Sequence, residues 1–245
     1  MSRIKFLNTE VDNLTMDEAI ERIEQLILEK KPSYVVTPNV DHIVKLEDDE
    51  EFQNVYKEAD LILTDGMPLI WISNFKGIKI KEKLSGSDLF PKVCDLASKK
   101  GYKVFLLGAA EGVAAKAAEN LKDKYDGLNV VGTYSPSYGF EKNKEEIEKI
   151  IEMINTVKPD VLAVGLGAPK QEKFLYNYKN RLNVPVSLAI GASIDFEAGN
   201  INRAPKWMQS SGLEWFYRLC KEPKRMFKRY IIDDMKIAKL VIKYK

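Results

Sequence analysis

The sequence predicts an α/β fold: a mainly parallel sheet flanked by helices, Rossmann-like, with a basic helical C-terminal appendage. Three observations carry this. Short apolar runs recur along the chain and are continuous rather than alternating, as strands buried on both faces read. Stretches of helical spacing stand between them, so that strand, turn and helix alternate. Near residues 200–205 the composition shifts to a basic, aromatic tail. The predicted division is an α/β domain over residues 1–200 and a helical appendage over 201–245.

Each element has a local reason. Thr15 and Glu18 form a capping-box pattern before AIERIEQLILEK. Residues 34–37 (YVVT) read as a strand entering a Pro-Asn turn. Asp48-Asp49-Glu50-Glu51 reads as a solvated helix start, since acidic side chains suit a helix N-terminus. Residues 61–64 (LILT) read as a strand ending at Asp65-Gly66. Ser87 is placed to cap a helix through Ala97 that stops at Gly101. Residues 103–107 (KVFLL) lead to Gly108, and a helix is expected over 111–124. A short strand at 129–131 and a helix at 144–157 follow. Residues 161–164 (VLAV) precede Gly165, and residues 186–190 (VSLAI) precede Gly191. In the tail, Pro223 should end one helix and begin another.

The bulk properties narrow the classes. The 245 residues, 45% hydrophobic and 30% charged, suit a globular chain with a sizeable core. No window approaches the ~18 apolar residues of a membrane span. The start, MSRIKFLNTEVDNL, lacks the apolar core of a signal peptide. Cys94 and Cys220 lie far apart and suggest no disulfide framework, so a reducing cytoplasm is expected. Net charge is +2, but residues 203–245 hold 12 Lys/Arg and 4 Asp/Glu, against 26 and 32 in the rest. A basic tail on an acidic body points to an anionic partner, a membrane surface or a nucleic acid, or else to a solvated helical face.

In an open parallel sheet, ligands bind beyond the carboxyl ends of the strands. Those ends here carry Thr37-Pro38-Asn39, Asp65-Gly66, Gly108, Gly165-Leu166-Gly167 and Gly191-Ala192. Glycines there either admit a phosphate or sugar close to the backbone or simply close tight turns. Neither GxGxxG nor GxxxxGK[ST] occurs, which disfavours a dehydrogenase and a P-loop kinase. Asp65, directly after a strand, is the candidate general base; the competing role is to cap or shape the Asp-Gly turn. His42, the single histidine, is expected to be structural, near the cleft. With no cysteine or second histidine beside it and no clear DxD, a metal site is not expected. In the tail, Trp207, Trp215, Phe216, Tyr217, Phe227 and Tyr230 mingle with basic residues, a pattern suited to a membrane interface. Nucleic-acid binding uses the same residue types, and a helical cap packed on the sheet domain would also need them.

TPNVDHI from Thr37, LTDGMP from Leu63, LSGSDLF from Leu84, FLLGAAEGV from Phe105 and VGLGAPKQEKF from Val164 run in order along the chain. The long segment from Ile190, which contains RAPKWMQ, GLEWFYRL and EPKR, follows them. In these segments the sequence resembles the WecG/TagA/CpsF family of bacterial glycosyltransferases, and among them the members that build the wall teichoic acid linkage unit. The resemblance implies an inverting transfer of N-acetylmannosamine from a UDP-sugar donor to undecaprenyl-diphosphate-linked N-acetylglucosamine. N-acetylmannosaminuronic acid is the alternative sugar, and a nucleic-acid-binding α/β protein the alternative class. It further implies Asp65 as base, polar substrate contacts at Thr37, Asn39, Lys83, Gly108, Gly167 and Gln171, and diphosphate-binding arginines at Arg218, Arg225 and Arg229. No cofactor and no metal are implied. The expected setting is the cytoplasmic side, peripheral on the inner face of the cell membrane, against its anionic surface and without nucleic acid; a homo-oligomer is left open. Two departures stand out. Lys83 replaces an arginine common in the family, keeping the charge but losing the planar fork. Gly191-Ala192-Ser193-Ile194-Asp195-Phe196 departs from a GGAFDF-like pattern, which would alter the pocket wall.

Overall fold

The computed structural model describes residues 3–227 and 234–244, except for the side chains of Ser210, Arg225 and Asp234. The chain opens with β1 (Arg3–Phe6) and β2 (Thr9–Asp12), an antiparallel hairpin that the sequence reading did not anticipate. It continues through α1 (Met16–Glu29), β3 (Ser33–Val36), α2 (Val40–Lys45), α3 (Glu50–Lys57), β4 (Leu61–Ile62), α4 (Met67–Phe75) and α5 (Gly86–Lys100). Then come β5 (Lys103–Gly108), α6 (Val113–Lys124), β6 (Asn129–Tyr134), α7 (Lys144–Val157), β7 (Val161–Gly165), α8 (Lys170–Leu182), β8 (Val186–Ala189) and α9 (Ser193–Glu197). The last part holds α10 (Lys206–Ser210), α11 (Glu214–Lys221), α12 (Pro223–Phe227) and α13 (Ile237–Lys243).

The expected parallel sheet is present, six-stranded, in the order β4-β3-β8-β7-β5-β6. Every pairing in it is parallel. Its strands are continuous apolar runs because both faces are covered. Tyr34, Val36, Phe105, Leu107, Leu162 and Val164 face one core, while Val35, Val104, Leu106, Val161 and Ala163 face the other. On the first face lie α2, α3, α7 and α8; on the second lie α1, α5, α6 and α9. The hairpin shields the edge strand: Asp12 accepts from the Ile62 N–H at 2.8 Å and pairs with Arg3 at 2.9 Å.

Local signals mostly act as expected. Thr15 and Glu18 form both bonds of the capping box, and Gly101 ends α5 in the left-handed conformation at φ 73°. Asp49 caps α3, and α11 and α12 meet at Pro223. One cap differs. Ser85, not Ser87, caps α5, accepting from the Asp88 N–H at 3.2 Å. Ser87 already lies in the first turn, where its side chain cannot reach back to the orphan N–H groups ahead of it.

Two strand-end glycines have a packing reason. A Cβ on Gly108, at φ +128°, would stand 2.3 Å from the Gly165 carbonyl oxygen, and one on Gly165 would stand 2.7 Å from that of Gly191. The ends of β5, β7 and β8 therefore close on one another only without side chains. We expect Gly108→Ala to lower the chemical-denaturation midpoint, with a loss of roughly 1–3 kcal/mol from backbone strain before any clash is counted; an unchanged midpoint would contradict this packing.

Candidate active site

The site is set by where the chain leaves two neighbouring strands. After β3 it turns into α2, on the first face; after β8 it turns into α9, on the second. Such a divergence opens a crevice at the carboxyl edge. A cavity of about 940 Å³ fills it, with Thr37, Asn39, Asp65, Gly167, Gln171 and Arg218 among its walls. The structure thus gathers six of the sequence-predicted residues. Lys83 lies next door, Gly108 is on neither chamber's wall among the described residues, and the Arg225 side chain and all of Arg229 fall outside the described residues.

A hydrogen-bonded chain ties three loops together beneath this cavity. Asn39 caps α2 and lies 2.8 Å, through Oδ1, from His42 Nδ1. His42 Nε2 lies 3.1 Å from Glu172 Oε1, and Gln171 Nε2 donates to the same oxygen at 2.7 Å. Gln171 Oε1 in turn accepts from the Gly191 N–H at 3.1 Å. Glu172 has no solvent exposure, and His42 is 5% exposed and stacked on Phe52. This network uses one side-chain N–H and one lone pair of Gln171. Thr37 donates to the Ala189 carbonyl at 3.3 Å, bridging β3 and β8 directly.

Asp65 stands apart from this network. It is half-buried, opening onto the cavity from deep in the protein, and no hydrogen bond to its carboxylate is found among the described residues. Desolvation raises its pKa from the usual 3.8, against the opposing pull of Lys83, Arg218 and His42. A desolvated carboxylate facing a cavity, with no hydrogen bond among the described residues, is a candidate for proton transfer. Its backbone N–H donates to the Pro38 carbonyl at 2.8 Å, which joins the β4 and β3 loops.

A second chamber, of about 360 Å³, adjoins the first and shares Asn39, Asp65, Ser87 and Arg218 with it. Its remaining walls include Val40, Met67, Pro68, Trp215, Met235 and Ile237, apolar side chains from α2, α4 and the appendage. Lys83 lines it while pairing with Asp88 at 2.8 Å. Sequence reasoning missed Glu172, Asp88, Arg203 and Glu214. Glu172 sits beside Gln171 in GAPKQE, and Arg203 and Glu214 lie within the recognised tail segment, but only the fold shows what each one faces. Among the described residues no group of three or more His, Cys, Asp or Glu side chains could hold a metal ion.

A Rossmann-like sheet with a crevice at its switch point is the architecture of a ligand-binding α/β protein, and here two adjoining chambers share the Asp65 wall. The chain belongs to the glycosyl transferase WecG/TagA/CpsF family, whose model matches residues 4–245. It is similar to the N-acetylglucosaminyldiphosphoundecaprenol N-acetyl-beta-D-mannosaminyltransferase of Bacillus subtilis (strain 168), with 31% identity over 87% of this chain and 81% of the relative. The enzyme of the same name from Bacillus spizizenii is 29% identical over 100% of this chain and 90% of the relative. That of Staphylococcus aureus (strain MW2) is 26% identical over 100% and 95%.

The buried network yields a test. Glu172→Ala removes the acceptor of both His42 and Gln171 from the interior. Unsatisfied buried donors cost roughly 1–3 kcal/mol each, so the denaturation midpoint should fall clearly; a midpoint equal to wild type would show that these contacts do not hold the loops.

Proposed function

We propose that the chain moves N-acetylmannosamine from UDP-N-acetylmannosamine to undecaprenyl-diphosphate-linked N-acetylglucosamine with inversion, giving the β-linked disaccharide lipid from which wall teichoic acid grows. The observation that carries this reading is Asp65 on the wall shared by two chambers of different character. The larger, more polar chamber suits a nucleotide sugar. The smaller, apolar-walled one suits an acceptor whose head joins a prenyl chain. In a single displacement the acceptor hydroxyl passes its proton to Asp65 while its oxygen bonds to the anomeric carbon. The bond from that carbon to the UDP oxygen breaks, and its electron pair leaves with UDP.

Thr37, Asn39, Gly167 and Gln171 contact the donor on this reading, and Lys83 faces the acceptor. Gly108 serves from behind by letting β5 close on β7. Arg218 meets the departing diphosphate, its fork suited to phosphate oxygens, with Arg225 and Arg229 further along the same segment. These cations, rather than a metal, balance the developing charge. Residues 1–200 form the catalytic domain. The appendage docks on the anionic inner face of the cell membrane, where each basic residue adds ~1 kcal/mol of attraction. Exposed Trp207, Phe216 and Phe227 support that docking, and no helix among the described residues is long and apolar enough to cross a membrane.

Asp65→Asn should cut turnover by ~10²- to 10⁴-fold. It should also stabilise the fold. A raised folded pKa means that Asp65 favours folding most below its unfolded value of 3.8 and that this contribution is lost as pH rises through the folded value. At neutral pH the ionised side chain therefore weakens the fold, and the neutral amide removes that cost. Near wild-type turnover, or a lowered denaturation midpoint, would count against Asp65 as a desolvated base. In a transfer assay with a short-chain lipid-diphosphate acceptor, UDP-N-acetylmannosamine should outcompete its uronic acid and yield the β anomer by NMR; an α product would refute single displacement. Dialysis against EDTA should leave the rate unchanged, whereas a rate restored only by added Mg²⁺ or Mn²⁺ would point to a metal.

A further inference from the structure

Five charged side chains run from the sheet domain into the appendage with alternating sign. Lys83 Nζ lies 2.8 Å from Asp88 Oδ2, and Arg203 Nη2 lies 2.6 Å from Asp88 Oδ1. Arg203 Nε lies 3.5 Å from Glu214 Oε1, and Arg218 Nη2 lies 3.2 Å from the same Glu214 oxygen. Arg203 Nη1 also donates to the Ser87 carbonyl at 3.2 Å, which fixes it to the first turn of α5. The Glu214 side chain is 19% exposed and the Arg203 side chain 22%. The ladder ends at Arg218, whose guanidinium lies 5.2 Å from the centre of the Phe196 ring on the cavity wall.

We propose that Glu214 is a positioning residue for the transfer reaction: it holds Arg218 on the wall between the two chambers and, through Arg203 and Asp88, keys that wall to the sheet domain. The proposal rests on the reading of Arg218 as a diphosphate contact. Glu214 and Arg218 stand four residues apart on α11, the acid nearer the N-terminus, which is the favoured order for such a pair. On an open surface this pair would contribute little. Here one carboxylate oxygen serves two arginines, so its direction is set from the body as well as from the helix. Arg218 is thus held by one nitrogen and by the Phe196 face, with the rest of its fork left to receive phosphate oxygens.

The same carboxylate also opposes the incoming diphosphate, since like charges repel. Holding the arginine in place therefore weakens ground-state binding while preserving the geometry of the reacting complex, and this separates positioning from simple attraction. Glu214 also acts on the base. Burial raises the Asp65 pKa most; Lys83, Arg218 and His42 lower it and Glu214 raises it, and the buried Tyr56 hydroxyl is a further titratable neighbour. Neutralising Glu214 would let Asp65 stay ionised to lower pH.

The test is Glu214→Gln in the full chain, read by calorimetric UDP binding, by kcat and KM, and by the pH dependence of kcat/KM. Expected are UDP binding several-fold tighter, kcat lower by on the order of tenfold, and an acidic limb shifted to lower pH. Glu214→Asp, which keeps the charge on a shorter arm, should return the limb toward its wild-type position while recovering only part of kcat. UDP affinity, kcat and acidic limb all unchanged in Glu214→Gln would overturn the proposal. So would UDP affinity and kcat falling together with the denaturation midpoint and no movement of the limb, which would mark Glu214 as a docking contact alone. Failure of the underlying reading is separately visible, because Arg218→Gln would then leave UDP affinity unchanged.

Discussion

Two neighbouring parallel strands, β3 and β8, send their chains to opposite faces of the sheet, and the functional features are arranged around the crevice this leaves. The pairing that holds them, Val35 beside Leu188, is ordinary parallel sheet. The consequence is at the carboxyl ends, where no crossing segment covers the edge. Thr37, Asn39 and Gly191 reach the cavity because their strands end there, and Gln171 because α8 starts from the neighbouring β7. Hydrophobic burial on both faces keeps these ends in register. The core sets the strand ends, and the hydrogen bonds of Glu172 and Gln171 tie the loops that follow them.

The acidic groups around the crevice play different parts because their surroundings differ. Glu172 is sealed off and holds His42 and Gln171. Asp88 and Glu214 are shared between cations and stitch two parts of the chain. Asp65 has the cavity before it, and its proton is held more tightly than in water. A carboxylate committed to several donors has its lone pairs occupied, while one left without a hydrogen bond among the described residues, in a desolvated place, has them open to a proton.

The appendage is anchored at both ends. Near its start Arg203 enters the charge ladder. At its far end α13 returns to the sheet domain. Leu240 is buried in the first core, Lys243 pairs with Glu47 at 2.5 Å, and Lys76, which caps the end of α4, donates to the Tyr244 carbonyl. Between these anchors it walls the second chamber with Trp215 and Met235. The apolar chamber therefore exists only because the tail folds back, and a tail serving as a detached membrane tether would leave Met67 and Pro68 facing solvent.

Much of the fold was legible in the sequence. Continuous apolar runs marked the parallel strands, and capping and turn chemistry marked several helix ends, because those preferences act within a few residues. The hairpin of β1 and β2 escaped because its residues answer to β4, some fifty positions away, through Asp12 and Ile62. The motifs led to Asp65, Asn39, Gln171 and Arg218. They could not show that Asp65 lies between two chambers, that His42 answers to Glu172, or that Glu214 serves two arginines. Residue type and spacing determined which groups could do chemistry, since backbone preference and side-chain functionality are local properties. Tertiary structure alone decided which of those groups meet, because charge, desolvation and hydrogen bonding act through space between residues that the chain keeps far apart.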